Sequence, residues 1–314
     1  MLRLIKYVIV LAGISFLISY SLFVFLNIGL RSQKNDTFPV INELVNNNEN
    51  IQVLFIGSSL AQNNINPIVF DSVTKSTSYN FGYPGAKIEH SQMIIKRYLN
   101  SNHPPPQKIL IMLEPYVLDT TLEINFPVQY YPFYKDTIIY NFVSKYDPDI
   151  KFIKKFPFLG VTKYNDYLKY LGVSGVLFPN RLTSKLLKGF EPLDKNSWKE
   201  NNELPKNRTK ELLISKRKLD PEINRLEEIC KLCSQKNIQL YFILPPTYKG
   251  KREKNYNPDN FINDLKLIVE KYNIHLFDNS DIDLCQKKEL FFDYHHLNKK
   301  GADIYTRILA NLIN

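Results

Sequence analysis

Short apolar runs alternate with longer amphipathic stretches over residues 51–113 and again over residues 221–314. The apolar runs show no polar alternation, which is typical of strands buried on both faces of a parallel sheet. Five strands are predicted, at Ile51–Ile56, Ser78–Phe81, Lys108–Leu113, Ile238–Leu244 and Ile274–Phe277. The helices predicted between and after them are Pro67–Thr74, Glu89–Leu99, Pro221–Lys236, Pro258–Tyr272 and Lys299–Ile313. The pattern predicts an α/β three-layer sandwich with a five-stranded parallel sheet.

Turn-forming segments follow the predicted strands at the end where each strand stops. They are Gly57-Ser58-Ser59, Gly82 to Gly85, Glu114-Pro115-Tyr116 and the loop after Phe277. Open parallel sheets bind their ligands beyond the carboxyl ends of the strands. We therefore expect the functional site of this chain at that edge of the sheet.

The alternation of strands and helices breaks between Asp119 and Leu219, where aromatic residues and lysines are interleaved. We interpret this stretch, at about 119–219, as an aromatic-rich helical insertion or cap over the sheet edge. Two interpretations of its aromatic residues stay open: an ordinary aromatic core, or a cleft wall that stacks on sugar rings or holds an acyl chain. The aromatic residues concerned are Phe126, Tyr130, Tyr131, Phe133, Tyr134, Tyr140, Phe142, Tyr146, Tyr164, Tyr167 and Tyr170.

The N-terminal segment carries no charged residue from Tyr7 to Leu30. A bilayer requires about 20 apolar residues, whereas the apolar core of a cleaved signal peptide spans about 7–15 residues. The sequence therefore predicts a transmembrane anchor within residues 1–31, contacting the membrane through residues 7–30. A polar, Asn-rich juxtamembrane linker is expected over residues 32–50, with a short helix around Val40 to Val45, and the remaining domain over residues 51–314.

The orientation of this anchor is weakly marked, because basic residues flank it on both sides. Arg3 and Lys6 precede the apolar segment, and Arg31 and Lys34 follow it. The positive-inside rule therefore distinguishes the two orientations poorly. A short N-terminal tail before a long domain favours a single-pass protein of the cytoplasmic membrane with an extracytoplasmic domain.

Composition excludes several classes of function. The 314 residues are 44% hydrophobic and 23% charged, with a net charge of +10, which is typical of a globular protein with a basic surface. There is no nucleic-acid motif, no metal-ligand spacing and no cofactor motif in the sequence, so no nucleic acid, metal or cofactor is expected. Three cysteines exclude a disulfide framework. Cys230 and Cys233 have helical spacing and are expected in the core.

Candidate chemistry is concentrated near the two ends of the chain. Ser58 or Ser59, after the first strand, could act as a nucleophile if a base lies within hydrogen-bond distance. Asp293 and His296 are three residues apart, so one turn could present both side chains, with the carboxylate orienting the imidazole. His295 is the rival base. A serine, a base and an orienting carboxylate are the groups that serine acyl transfer requires.

These segments resemble the blocks of the SGNH (GDSL-like) hydrolase superfamily, in a divergent membrane-anchored bacterial branch. Gly57-Ser58-Ser59-Leu60 matches Gly-Asp-Ser-Leu, which implies that Ser59 is the nucleophile and that Ser58 takes the Asp position. Asn80 to Gly85 matches the Asn-x-x-x-x-Gly turn, which implies that Gly85 joins the Ser59 N–H in the oxyanion hole. Asp293 to Gly301 matches Asp-x-x-His-Leu-Asn-x-x-Gly and favours His296 as the base. The resemblance implies a flavodoxin-like fold.

The chain departs from this family in the block that supplies an Asn side chain to the oxyanion hole. Glu114-Pro115-Tyr116-Val117 stands there, so the Tyr116 hydroxyl is the candidate donor. The resemblance implies a membrane-anchored serine esterase or O-acyltransferase that acts through an acyl-enzyme on an acylated cell-envelope glycan or a similar ester. A membrane-bound O-acyltransferase is then a candidate partner. The alternatives are a non-catalytic envelope-assembly or glycan-binding protein and, less favoured, a lipase acting on membrane lipids.

Overall fold

The chain folds into two compact units, which are described separately below. One unit consists of Met1–Glu43 and Phe126–Ser184, and the other consists of Leu44–Asn125 and Lys185–Asn314. The N-terminal helix and the aromatic segment thus belong to the same unit. The sequence analysis instead divides the chain into consecutive segments and does not group these two together. The computed structural model describes residues 1–46, 49–118, 124–179, 182–194, 216–249 and 259–313.

A five-stranded parallel sheet forms the centre of the second unit. Its strands are β1 Val53–Ile56, β2 Ser78–Asn80, β3 Lys108–Met112, β4 Gln239–Leu244 and β5 His275–Asp278. The strand order is β2-β1-β3-β4-β5, and each neighbouring pair is parallel. This order is that of flavodoxin-like sheets, with a switch point at the carboxyl ends of β1 and β3. The predicted five-stranded parallel α/β fold is confirmed.

The helices agree with the sequence pattern to within a few residues at most ends. The largest difference is at Pro221, which was expected to start its helix and lies inside it, because the helix begins at Lys216. The helices are α1 Leu2–Leu30, α2 Phe38–Asn46, α3 Ser59–Asn64, α4 Pro67–Thr74, α5 Ile88–Leu99, α6 Thr137–Val143, α7 Pro148–Lys155, α8 Asp166–Leu177, α9 Lys216–Gln235, α10 Asp259–Tyr272 and α11 Lys299–Ile313. The predicted start of α10 at Pro258 lies outside the described residues.

Helices cover both faces of the sheet. Side chains of alternate residues on a strand point to opposite faces. Phe55 of β1 belongs to a core that also contains Phe70 of α4 and Tyr305 of α11, so α3, α4 and α11 lie on one face. On the other side, α9 packs against both α5 and α10, and Leu226 of α9 is buried. The three layers fix the positions of the loops at the strand ends.

The cysteines of α9 are core residues, as predicted. Cys230 and Cys233 are both buried and unbridged. Burial disfavours the charged thiolate and raises the pKa of each thiol to about 12. These thiols therefore stay protonated at neutral pH and act as small apolar side chains.

The first unit is built on the second half of α1. Phe23 of α1 lies 5.7 Å, centroid to centroid, from both the Tyr134 and the Tyr164 ring. Gly29 lies so close to the backbone of Gly172 in α8 that a Cβ would collide with it, which explains a glycine at this helix contact. Tyr130, Tyr131, Phe133, Tyr134, Phe142 and Tyr164 are buried in this unit. These six residues therefore form an aromatic core.

One helix of the described chain is long and apolar enough to cross a membrane. It is α1, with a mean hydropathy of 2.4 over its most apolar window, of which only 6% is buried. Every residue from Leu2 to Ile18 is exposed, and burial begins after Ile18. An apolar helix with an exposed surface of this kind is typical of a membrane span or of a signal sequence.

Candidate active site

The turn after β1 presents two neighbouring serines in different roles. Ser58 is buried and caps α3, since its Oγ accepts a hydrogen bond from the Leu60 N–H at 3.2 Å. The same hydroxyl donates to Oε1 of Glu114 at 2.6 Å. Ser59 is the first residue of α3, and its Oγ lies 2.9 Å from Nε2 of His296. Ser59, rather than Ser58, is therefore the serine in contact with a base.

The ring of His296 joins Ser59 to a carboxylate. Its Nδ1 lies 2.8 Å from Oδ2 and 3.0 Å from Oδ1 of Asp293, and its Nε2 faces Ser59. A tautomer with the proton on Nδ1 satisfies both contacts, because Nδ1–H donates to Asp293 and Nε2 accepts from the serine hydroxyl. The three side chains form one continuous chain of hydrogen bonds, although 237 residues separate Ser59 from His296.

Asp293 is held as a carboxylate. Burial disfavours its charge, but the His296 ring and the backbone N–H groups of His296 and His295 donate hydrogen bonds to it. The hydrogen bonds outweigh burial and lower the pKa of Asp293 to about 2. His295 takes part through its backbone N–H, 2.8 Å from Oδ1 of Asp293, while His296 provides the ring that reaches Ser59.

A buried asparagine links the nucleophile helix to the histidine loop. Asn64, at the end of α3, accepts a hydrogen bond from the Leu297 N–H at 2.8 Å and donates to the His295 carbonyl at 3.4 Å. The loop also closes on itself, since the Phe292 N–H donates to the His296 carbonyl at 2.8 Å. Asn64 was not identified from the sequence. It holds the loop of His296 against the helix that carries Ser59.

Asn80 connects α3 to the predicted oxyanion loop. Its Nδ2 donates to the carbonyls of Ala61 and Ile65, at 2.7 and 2.8 Å, and its Oδ1 accepts from the Gly82 N–H at 2.8 Å. The next residue, Tyr83, donates its backbone N–H to the Gly57 carbonyl at 3.0 Å. The loop from Gly82 onward is thereby fixed against the turn that carries the two serines.

Gly85 lies at the end of this loop in a conformation that favours glycine. Its φ is +71°, in the left-handed region, and a Cβ would collide with Nδ2 of Asn125. The Asn125 amide donates to the Pro84 carbonyl at 3.1 Å, and the Asn125 carbonyl accepts from the Tyr83 hydroxyl at 3.0 Å. A side-chain amide therefore lies directly against Gly85, which the sequence motifs did not indicate.

The predicted oxyanion donor Tyr116 lies beside a lysine. Nζ of Lys87 is 3.0 Å from the centroid of the Tyr116 ring and also donates to the Tyr116 carbonyl at 2.9 Å. A lysine ammonium over an aromatic face is a favourable cation–π contact. The ring of Tyr116 thus covers the Lys87 ammonium, next to the first turn of α5.

Comparisons with known proteins give structural neighbours at low sequence identity. A lipolytic protein of the G-D-S-L family from Desulfitobacterium hafniense DCB-2 shares 10% identity at a TM-score of 0.41, over 83% of this chain and 98% of that chain. An acetyl xylan esterase shares 12% identity at a TM-score of 0.43, over 84% of this chain and 100% of the other. For a family two carbohydrate esterase from Clostridium thermocellum the identity is 7% and the TM-score 0.40, over 84% of this chain and 63% of that chain.

The sequence comparisons are sparser. A protein-family model matches residues 164–314. A search of curated proteins finds no match.

Proposed function

We propose that this chain is a serine hydrolase of the SGNH type that cleaves or transfers an ester through an acyl-enzyme. The observation that supports this most strongly is the hydrogen-bonded series Ser59–His296–Asp293, with contacts of 2.9 and 2.8 Å. It lies beyond the carboxyl ends of β1 and β3, at the switch point of the sheet. The catalytic residues in this proposal are Ser59 as nucleophile, His296 as general base and acid, and Asp293 as orienting carboxylate.

The reaction begins when Ser59 Oγ attacks the carbonyl carbon of the ester and its proton passes to Nε2 of His296. The ionised Asp293 stabilises the imidazolium that forms. The tetrahedral intermediate then collapses, the alcohol leaves with the proton from His296, and the acyl group remains on Ser59. In the second half, water or an acceptor hydroxyl gives its proton to His296 and attacks the acyl carbon. Collapse of this second tetrahedral intermediate breaks the bond to Ser59, returns the proton from His296 to Ser59 Oγ and releases the acid or a new ester.

The developing oxyanion needs donors that are already in place. In this proposal they are the backbone N–H groups of Ser59 and Gly85, joined by the side-chain amide of Asn125. Asn125 is included because its Nδ2 lies directly against Gly85. One of the two N–H groups of this amide donates to the Pro84 carbonyl, which leaves the other for the oxyanion. Tyr116 stays a weaker candidate, since its ring covers Lys87.

The substrate in this proposal is an acylated cell-envelope glycan or a similar ester outside the cytoplasmic membrane. The long apolar helix α1 supports attachment to a membrane. Hydrolysis and O-acyl transfer share the acyl-enzyme and differ only in the acceptor, so a membrane-bound O-acyltransferase that supplies or receives acyl groups is the partner that fits the transferase form. A non-catalytic glycan-binding role is the alternative, favoured by the unusual Glu114–Tyr116 segment.

Hydrolysis of a small chromogenic acetyl ester by the full chain in detergent tests the proposal. We expect Ser59→Ala to lower kcat by at least about 10³, because the nucleophile is lost. Ser58→Ala is the matched control, since it removes the neighbouring hydroxyl and a helix cap but leaves Ser59 in contact with His296. Ester hydrolysis that survives unchanged in Ser59→Ala would remove the nucleophile assignment. Absence of any hydrolysis by the wild type would favour the non-catalytic alternative.

A further inference from the structure

Lys87 is a buried lysine at the end of the loop from Gly82 to Lys87, which we call the oxyanion loop. It follows Gly85 by two residues, it is the N-cap residue of α5, and it is only 8% exposed. Lysines are rarely buried, because removing an ammonium from water costs free energy unless other groups compensate its charge. The proposed reaction assigns no role to this side chain, so its burial needs an explanation.

The ammonium of Lys87 makes two contacts with Tyr116. Its Nζ donates a hydrogen bond to the Tyr116 carbonyl at 2.9 Å and lies 3.0 Å from the centroid of the Tyr116 ring. A cation–π contact is strongest when the cation is desolvated, so burial favours this arrangement. Tyr116 belongs to the three-ten helix Pro115–Leu118, which follows β3. Lys87 therefore joins the oxyanion loop, after β2, to the turn after β3.

The charge of Lys87 belongs to a balanced cluster of two acidic and two basic side chains. Nη1 of Arg225 lies 3.2 Å from Oε1 of Glu89, and Nε of Arg225 lies 3.3 Å from Oε2 of Glu222. Burial raises the pKa of Glu222, and the positive charges of Arg225 and Lys87 oppose this rise. When all four groups are ionised, the cluster has no net charge. The ammonium can therefore stay charged although it is buried.

The contact between Lys87 and Tyr116 crosses the end of the strand that leads to the nucleophile. In the sheet, β2 and β3 lie on opposite sides of β1, so a contact between the loops that follow β2 and β3 passes over the carboxyl end of β1. Glu114, two residues before Tyr116, accepts a hydrogen bond from Ser58 at 2.6 Å. The segment from Glu114 to Tyr116 is therefore fixed to the serine turn at one end and to the oxyanion loop at the other.

The oxyanion loop is held at both of its ends. Its beginning is fixed to the turn after β1, because the Tyr83 N–H donates to the Gly57 carbonyl at 3.0 Å. Its other end is fixed to the turn after β3 by the side chain of Lys87. Gly85 lies between these two points of attachment, so the direction of its N–H depends on both.

We propose that Lys87 is a positioning residue, whose ammonium on Tyr116 holds the oxyanion loop so that the Gly85 N–H and the Ser59 N–H converge on the oxyanion. This inference rests on the proposed acyl transfer, because its effect is on the oxyanion donors. Lys87 does not bind the substrate itself, since its Nζ is engaged by the carbonyl and the ring of Tyr116. The segment from Glu114 to Tyr116 then has a role, because it connects the serine turn to the oxyanion loop.

Steady-state kinetics of the full chain in detergent, with the same acetyl ester, tests this role. We expect Lys87→Met to lower kcat by about 10–10² with little change in KM, because a displaced donor stabilises the oxyanion less while ground-state binding is kept. Lys87→Arg restores a cation and should keep most of the activity. Lys96→Met is the matched control, since it removes a lysine from the last turn of the same helix and should behave as the wild type.

Amide hydrogen exchange, measured by mass spectrometry, tests the position of the loop independently of activity. We expect residues 82–88 to exchange faster in Lys87→Met than in the wild type or in Lys87→Arg, while exchange in β3 stays unchanged. If Lys87→Met does not fold, the strands of the sheet lose protection as well. Tyr116→Leu then gives the comparison, because it removes the ring and leaves the four buried charges in place.

The two measurements separate this inference from the proposed function. If the wild type hydrolyses the ester and Lys87→Met keeps its kcat, or Lys87→Arg loses as much, the inference is wrong and the proposed function stands. Unchanged exchange at residues 82–88 would also overturn the inference. If the wild type does not hydrolyse the ester, the proposed function is wrong, and the effect of Lys87 on the oxyanion is excluded even where exchange shows that Lys87 holds the loop.

Discussion

At the scale of single residues, hydrogen bonds distinguish adjacent side chains of the same type. Ser58 is engaged by Glu114 and by the first turn of α3, whereas Ser59 faces Nε2 of His296. His295 contributes a backbone N–H to Asp293, whereas His296 contributes its ring. The residues that would react were recognisable because short motifs mark them.

The supporting residues were not recognisable in the same way. Asn64 and His295 are 231 positions apart, so their hydrogen bond depends on the complete fold. Asn125 reaches Gly85 from a separate loop, and no local pattern marks it as a donor. Local sequence thus marks the residues that we propose to react, while the contacts that position them are set by tertiary structure.

The two adjacent histidines give a direct comparison. We expect His296→Gln to lower kcat for ester hydrolysis by at least about 10³, because the base is lost, with a smaller change in KM. His295→Gln keeps the backbone N–H to Asp293 and should retain activity close to wild type. Steady-state kinetics of both variants checks this, and the reverse ranking would assign the base to His295.

Replacing the carboxylate tests its orienting role. We expect Asp293→Asn to lower kcat by about 10⁴, because an amide no longer favours the His296 tautomer that accepts from Ser59. Since the pKa of Asp293 is lowered to about 2, its carboxylate is ionised at both pH 6 and pH 8, and the variant should be impaired at both pH values. Kinetics at these two pH values makes the comparison. Full activity in the variant would exclude this role.

The amide beside Gly85 provides a third test. We expect Asn125→Ala to lower kcat by about 10²–10³ with little change in KM, because a donor to the oxyanion is removed and ground-state binding is not. Tyr83→Phe removes only the hydroxyl that binds the Asn125 carbonyl, so its effect should be much smaller. An unaltered kcat in Asn125→Ala would show that Asn125 is not an oxyanion donor, and Tyr116 would then be tested as the side-chain donor.

At the scale of elements, the inner strands β1 and β3 followed the sequence pattern because burial on both faces leaves continuous apolar runs, whereas the edge strand β5 is only partly buried. The helices Pro67–Thr74 and Lys299–Ile313 begin and end where predicted. The ends of other elements differ from the predicted ones, because the apolar run does not determine which flanking residues join the backbone hydrogen bonding. The strand expected from Ile51 starts at Val53, and α9 extends N-terminally past Pro221.

Helix α5 carries a buried histidine that should make stability depend on pH. Burial lowers the pKa of His90 from 6.5 to about 3. Between these values the unfolded chain binds a proton that the folded chain does not, so stability falls as pH drops below about 6.5. From pH 6.5 to pH 5 the loss should lie between about 1 and 2 kcal/mol, since the slope reaches 1.36 kcal/mol per pH unit only once the unfolded histidine is fully protonated.

The variant that isolates this effect is His90→Phe, which keeps an aromatic ring next to Tyr83. In the wild type the centroids of the His90 and Tyr83 rings are 4.8 Å apart. We expect the thermal midpoint of the wild type in detergent to fall between pH 6.5 and pH 5 and that of His90→Phe to fall less. Melting curves at these two pH values make the comparison. Parallel decreases in both proteins would show that other groups cause the acid sensitivity.

At the scale of the whole molecule, the chain order conceals which segments fold together. The N-terminal helix and residues 126–184 form one unit, although more than 80 residues of the sheet-containing unit lie between them in the sequence. The sequence pattern showed that the aromatic segment was apolar, but not that Gly29 and Gly172 bring its helix against α1. Such pairing depends on shape complementarity between distant segments, which hydrophobic periodicity does not encode.

The central claim is that Ser59 is a nucleophile activated by His296. Labelling the full chain with a fluorophosphonate and mapping the adduct by mass spectrometry tests it most directly, because the reagent reacts with activated serines irrespective of the natural substrate. We expect one adduct, on Ser59, that is lost in His296→Gln and kept in His295→Gln. An adduct on another serine, labelling of Ser59 that is unaffected by His296→Gln, or no labelling would contradict the claim.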